Sequence, residues 1–200
     1  MRPLTIDDLL PLQEYAVRRR EFFESLGRYQ DRYRRVRIGP QLTLLFENRQ
    51  TLWFRVHEIL RISRLSEPAR VQQELDVYNW LLPGREQLKA ALLIDLAQSS
   101  RLAEELAAWG DLRGEELVFE LGEKRVPACL VTCRPEDRAI GAAHWVEFMI
   151  GTDTRKVLAD PRIPARFESI YPQYQHRSAP LGEEVRQSLL EDLQLSDRDG

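Results

Sequence analysis

Residues Glu116-Leu-Val-Phe-Glu-Leu121 and Arg125-Val-Pro-Ala-Cys-Leu-Val-Thr132 flank the short stretch Gly122-Glu123-Lys124. Both flanks are rich in β-branched, aromatic and aliphatic residues, and the Gly-led stretch between them suits a hairpin loop. Ten residues on, Ala142 to Ile150 alternates His144, Val146, Phe148 and Ile150 on one face, a third strand. Three strands without helical crossovers between them predict antiparallel pairing rather than a doubly wound parallel sheet.

Working outward, Leu88 to Leu96, Ala165 to Tyr171 and Tyr174 to Ser178 read as further strands, as do Val36–Ile38 and Leu42–Glu47 around Gly39-Pro40. Thr5 before Ile-Asp-Asp suits a helix N-cap with acids in its first turn. A long polar helix is expected from Pro11 to at least Ser25, with Gly27 a break before the chain resumes at Arg28 to Arg35. Asn48 caps a helix reaching about Leu65, and Ser66 with Pro68 opens another that stops at Pro83-Gly84. Short helices are expected from Ser100 to Trp109 and Thr152 to Asp160, and an amphipathic one from Gly182 to Leu193. The reading is a single α+β domain over residues 1–200, a largely antiparallel sheet packed against several helices. Residues 1–35 form a helical, Arg-rich N-terminal arm and 196–200 a disordered tail.

Composition narrows the chemistry. Two cysteines, Cys129 and Cys133, exclude a disulfide scaffold and a self-contained cysteine-ligated iron–sulfur cluster. Set among Ala, Leu and Val, they read as core residues rather than a redox pair. No Gly-rich nucleotide motif, flavin fingerprint or nucleophile elbow occurs. The N-terminus has acids where a signal peptide needs an apolar stretch, and no apolar run approaches the ~20 residues of a membrane span. A cytoplasmic protein of bacterial type, with no membrane, is the expectation. Of 29 basic residues only Lys89, Lys124 and Lys156 are lysine, a bias that runs the whole length. Arg18 to Arg20, Arg28, Arg32, Arg34, Arg35 and Arg37 interleave with Tyr15, Phe22, Phe23, Tyr29 and Tyr33. Glu14, Glu21, Glu24 and Asp31 dilute this patch, which favours a solvated helix face or a protein-docking surface over nucleic acid.

The helical wheel singles out two carboxylates. Leu52, Val56, Ile59 and Leu60 form one apolar face, and Phe54, Ile62 and Leu65 a second stripe that contains Glu58. Glu74 falls within the arc of Val71, Leu75, Tyr78 and Leu82 on the next helix. Carboxylates so placed need a partner, a proton or a cation. Two readings stand: structural pairing with Arg49, Arg61, Tyr78 or backbone, or an acid–base or divalent-metal site of Glu58, Glu74 and His144. A ferritin-like pattern fails, because Arg61 and Val77 stand where histidine is required.

The segments Leu-Thr-Ile-Asp-Asp-Leu-Leu (4–10), Gly-Pro-Gln-Leu-Thr-Leu-Leu-Phe-Glu-Asn-Arg-Gln-Thr (39–51), His-Glu-Ile-Leu-Arg (57–61), Gln-Glu-Leu-Asp-Val-Tyr-Asn-Trp-Leu-Leu-Pro (73–83), Ala-His-Trp-Val-Glu-Phe (143–148) and Tyr-Gln-His (174–176) together resemble a bacterial family, domain of unknown function 3501. His57 departs from the glutamine that resemblance leads one to expect. The resemblance implies site or supporting roles for Glu47, Arg49, Glu58, Glu74, Asn79, His144 and Tyr174. It also implies an accessory role beside rubrerythrin-like proteins and iron–sulfur oxidoreductases in oxidative-stress defence, so a redox protein is the expected partner. Substrate, metal identity and oligomeric state are not encoded in any of these patterns.

Overall fold

A computed structural model of the chain describes residues 1–96, 104, 107–131 and 143–198, with the side chains of 143 and 194–198 left aside. It is an α+β single-domain fold built on one eight-stranded antiparallel sheet. The strands are β1 (Arg35–Ile38), β2 (Leu42–Phe46), β3 (Gln87–Ile94), β4 (Leu117–Leu121), β5 (Lys124–Val131), β6 (Ala143–Met149), β7 (Ala165–Tyr171) and β8 (Tyr174–Arg177). Their order is β1-β2-β3-β6-β5-β4-β7-β8, and the sheet curls nearly into a barrel.

The curl follows from the pleat. Leu42, Leu44, Phe46, Leu88, Ala90, Leu92, Val146, Phe148, Leu117, Phe119 and Phe167 all point to one side and form the main core. At its centre Phe119 stacks on Phe167 with ring centroids 4.1 Å apart. The two edge strands meet through Tyr174 of β8. Its hydroxyl donates to the Ile38 carbonyl at 2.7 Å and accepts from the Gln41 amide at 2.8 Å. Gly39, at φ 64°, permits this approach, since a Cβ there would lie 2.5 Å from both the His176 ring and the Tyr174 hydroxyl. The β4–β5 hairpin forms with Gly122 and Glu123 as its loop. Pro127 stands in an interior strand, where a residue lacking N–H is rare. It marks the hand-over of β5, which pairs with β4 up to Pro127 and with β6 from Ala128.

Five α-helices complete the described residues: α1 (Leu12–Tyr33), α2 (Arg49–Ile62), α3 (Pro68–Asn79), α4 (Thr152–Ala159) and α5 (Glu183–Arg198). The break expected at Gly27 is absent; α1 runs through it as one helix of 22 residues. The α5 helix extends past Leu193, the end expected from its apolar pattern, to Arg198. It sends Leu189, Leu190 and Leu193 into the main core. The α2 and α3 helices lie on the outer face of the sheet over a second core of Leu52, Val56, Leu60, Val71, Leu75 and Leu81. Leu4 of the N-terminal segment is buried in that same layer. The helix expected from Ser100 to Trp109 falls largely outside the described residues, and Cys133 wholly so; Cys129 is exposed rather than in the core.

Candidate functional site

Where α1 crosses α2 and α3 above β2 and β3, a groove of about 410 Å³ opens. Phe23 and Leu26 come from α1, Phe54, Ile59 and Ile62 from α2, and Leu45 and Leu93 from the outward positions of the sheet. The stripe read from the sequence as a second apolar face divides: Phe54 is buried with Tyr15 and Leu26, Leu65 is buried under α2 and α3, and Ile62 is on the surface. Ile62 is 65% and Phe23 58% exposed.

Glu58 stands at this groove with its carboxylate filled. The Tyr15 hydroxyl donates to Oε1 at 2.9 Å. Arg19 donates through Nε and a terminal nitrogen at 2.9 and 2.8 Å, and Arg61 does so at 3.2 and 3.1 Å. Burial pushes the Glu58 carboxyl up, but the bonds from Arg19, Arg61 and Tyr15 outweigh it and hold its pKa at about 2. For Tyr15, burial and then the bond to Glu58 push the phenol well above its ordinary range. Such a carboxylate stays ionised at neutral pH and neither delivers nor takes up a proton there. Arg61 was among the partners expected from sequence and Arg19 was not. The signal for it was available: Arg19 follows Tyr15 by four residues and so shares its helix face.

The remaining candidates occupy separate places. Glu47, 1% exposed, accepts from Arg55 at 2.9 and 2.6 Å and from the Thr51 hydroxyl. Arg55 in turn covers the Trp145 ring, 4.9 Å from its centroid. Arg49 opens α2 and pairs with Asp8 at 2.7 Å, which lowers the Asp8 pKa to about 2. Asn79 clasps Leu4, accepting from its amide at 2.7 Å and donating to its carbonyl at 2.8 Å. Tyr174 belongs to the barrel seam. Glu74 is half-buried on α3. His144 pairs with Leu92 across β3 and β6, so it points to the barrel interior, on the opposite face of the sheet from α2. Among the described residues no three His, Cys, Asp or Glu side chains come together as metal ligands, and Glu58, Glu74 and His144 form no such set.

Arg34, counted from the sequence with the basic surface, is instead buried against Asp192 of α5, each side chain 3% exposed. Arg34 also donates to the Tyr29 hydroxyl at 2.9 Å, and Asn48 donates to the same oxygen at 2.8 Å. Burial raises the Asp192 pKa against the pull of Arg34. The sequence marked Asp192 only by its place among Leu189, Leu190 and Leu193. Among the described residues no helix is long and apolar enough to cross a membrane.

An antiparallel, nearly closed sheet packed against helices defines an α+β single-domain fold, with an apolar groove on its helical side. The chain belongs to the family described as protein of unknown function, DUF3501, whose model matches residues 3–193. It is similar to a novel protein of unknown function from Burkholderia pseudomallei, known from its crystal structure. That similarity is 29% in sequence over 96% of this chain and 100% of the other, with a TM-score of 0.87. Among curated proteins, none matches.

Proposed function

We propose that this protein is a cytoplasmic accessory module that docks a partner protein in the groove between α1, α2 and α3. The observation that carries the reading is the exposure of Phe23 and Ile62 on a concave apolar surface, where a packed core would hide them. Arg19, Arg55 and Arg61 edge the groove and keep between 30% and 40% of their side chains exposed. Aromatic anchors edged by arginine suit a partner segment that presents an apolar side chain flanked by acids. The family resemblance supports a redox protein as that partner, with this chain contributing contact rather than cofactor.

The test is affinity purification from the native cytoplasm, quantified for the wild type and for Phe23→Asp and Ile62→Asp. Val17→Asp, on α1 but outside the groove lining and 85% exposed, serves as the control. A partner recovered with the wild type and the control and lost with both groove variants supports the reading. Equal recovery with all four proteins refutes it.

A further inference from the structure

The groove between α1, α2 and α3 restricts the conformation of what can enter it. Its floor is Leu45 of β2 and Leu93 of β3, both on interior strands of the sheet. Leu45 is paired with Arg35 on one side and Ala91 on the other, and Leu93 with Thr43 and Ala143. Phe23 and Leu26 on one wall, and Phe54 and Ile59 on the other, lie within α1 and α2, whose backbone groups bond along each helix. A guest therefore meets no open row of backbone donors and acceptors. An extended segment would bury its own amides and carbonyls there without partners, and strand addition needs a free sheet edge. A helix has already bonded those groups within itself.

The length of the groove suits such a guest. Phe23 to Gln30 along α1 and Phe54 to Ile62 along α2 span roughly 10–12 Å, about two helical turns. About 410 Å³ accommodates the side chains of one helix face rather than a helix entire. The charge has a sign as well. Arg19 and Arg61 share the single carboxylate of Glu58, which leaves one positive charge over. Each bonds through Nε and one terminal nitrogen, as Arg55 does to Glu47. The second terminal nitrogen of all three makes no hydrogen bond among the described residues. Glu58 is the only carboxylate lining the groove among those residues. The chain as a whole carries −3, so the attraction for acidic groups is local to this edge.

We propose that the groove binds one amphipathic α-helix of a partner protein. Its apolar side chains, spaced i, i+3 or i+4 and i+7, face Phe23 and Ile62, and Asp or Glu on its flanks meet the free nitrogens of Arg19, Arg55 and Arg61. This rests on the docking reading and adds to it the conformation and the charge of the docked segment.

Three synthetic peptides of about 18 residues test it against the full chain by fluorescence anisotropy. The first sets Leu at helical spacing with Glu on the flanks, and the second replaces every Glu by Lys. The third keeps the composition of the first but alternates Leu with Glu, the period of a strand. The first is expected to bind with 1:1 stoichiometry and to gain helical circular dichroism on binding, with the other two about tenfold weaker or more. Its affinity should fall by about tenfold in Phe23→Asp and in Ile62→Asp and stay unchanged in Val17→Asp. Phe23 and Ile62 are both more than half exposed, and an unchanged melting temperature verifies the fold of each variant. Equal or tighter binding of the alternating peptide overturns the proposal; if the groove variants abolish that binding, the docking reading survives without the helix. Equal binding of the Lys peptide overturns the proposal through its charge. Binding indifferent to the groove variants, or no binding of any peptide, overturns it as well, and recovery of the native partner then judges the docking reading separately.

Discussion

His57 shows how one side chain can stand in for another of different chemistry. It is fully buried between Tyr15 and Trp53, with ring centroids at 4.6 and 4.0 Å. Nδ1 faces the Trp53 carbonyl at 2.8 Å and must carry the proton; Nε2 accepts from the Leu10 amide at 3.0 Å. One donor and one acceptor are what a glutamine amide offers, so the departure from the expected glutamine preserves both bonds. Only the neutral ring can do this, and burial lowers the His57 pKa below 6.5. The unfolded chain therefore takes up a proton where the folded chain resists it. Stability from this group is full above pH 6.5 and falls as the pH drops below it. His57→Gln should leave stability at pH 8 within about 1 kcal/mol. It should also flatten the urea midpoint between pH 6.5 and 5, whereas His57→Leu, which orphans the Leu10 amide, should cost ~1–3 kcal/mol. Glu58 acts in a lower window. Its pKa of about 2 against an ordinary 4.5 adds stability that is present above 4.5 and lost as the pH falls toward 2.

At the scale of elements, strands were far more legible than their partners. Apolar, β-branched runs and alternation located β4, β5, β6, β7 and β8 to within a residue or two, and in β7 every second side chain is buried. Helix continuity was less legible. The glycine at 27 argues locally for a break, yet Tyr15 and Leu26 bury the same face of α1 on either side and hold the helix together. A Cβ at Gly27 would meet nothing within 4 Å, so Gly27→Ala should stabilise the protein by ~0.5–1 kcal/mol in a thermal melt. Site residues were legible only as anomalies. Glu58 was visible as a charge in an apolar stripe, but its principal partner, Arg19, comes from a different helix 39 residues away. The Arg34–Asp192 pair spans 158 residues, a separation over which no local pattern operates. Arg34→Leu alone strands a buried carboxylate and should cost about 3–5 kcal/mol, while adding Asp192→Leu should recover most of that loss. Chemical denaturation of the two single variants and the double variant measures the coupling.

Across the whole molecule, the parts are joined by polar fasteners laid over apolar layers. Arg34–Asp192 ties α5 to the start of β1, Asn79 ties α3 to Leu4, and Tyr174 ties the last strand to the first turn. Tyr174→Phe keeps the ring among its aromatic neighbours and removes both seam bonds, leaving the Gln41 amide and the Ile38 carbonyl to find other partners. A loss of ~1–3 kcal/mol is expected. Hydrogen exchange should report it first at the β1–β2 turn rather than in the β3–β6 ladder.

The seam also sets an order of events during synthesis. Tyr174 emerges from the ribosome 136 residues after Ile38, the carbonyl it must bind. Among the described residues β1 pairs with β2 on one side and with no strand on the other, and the bonds of the Tyr174 hydroxyl cover that open side in place of a ladder. A nascent chain halted before β8 thus displays an edge that recruits other strands, and long-range closure of this kind is slow. Molecular chaperones that shield nascent edges would act on this protein late in its translation, before Tyr174 covers the β1 side of the sheet.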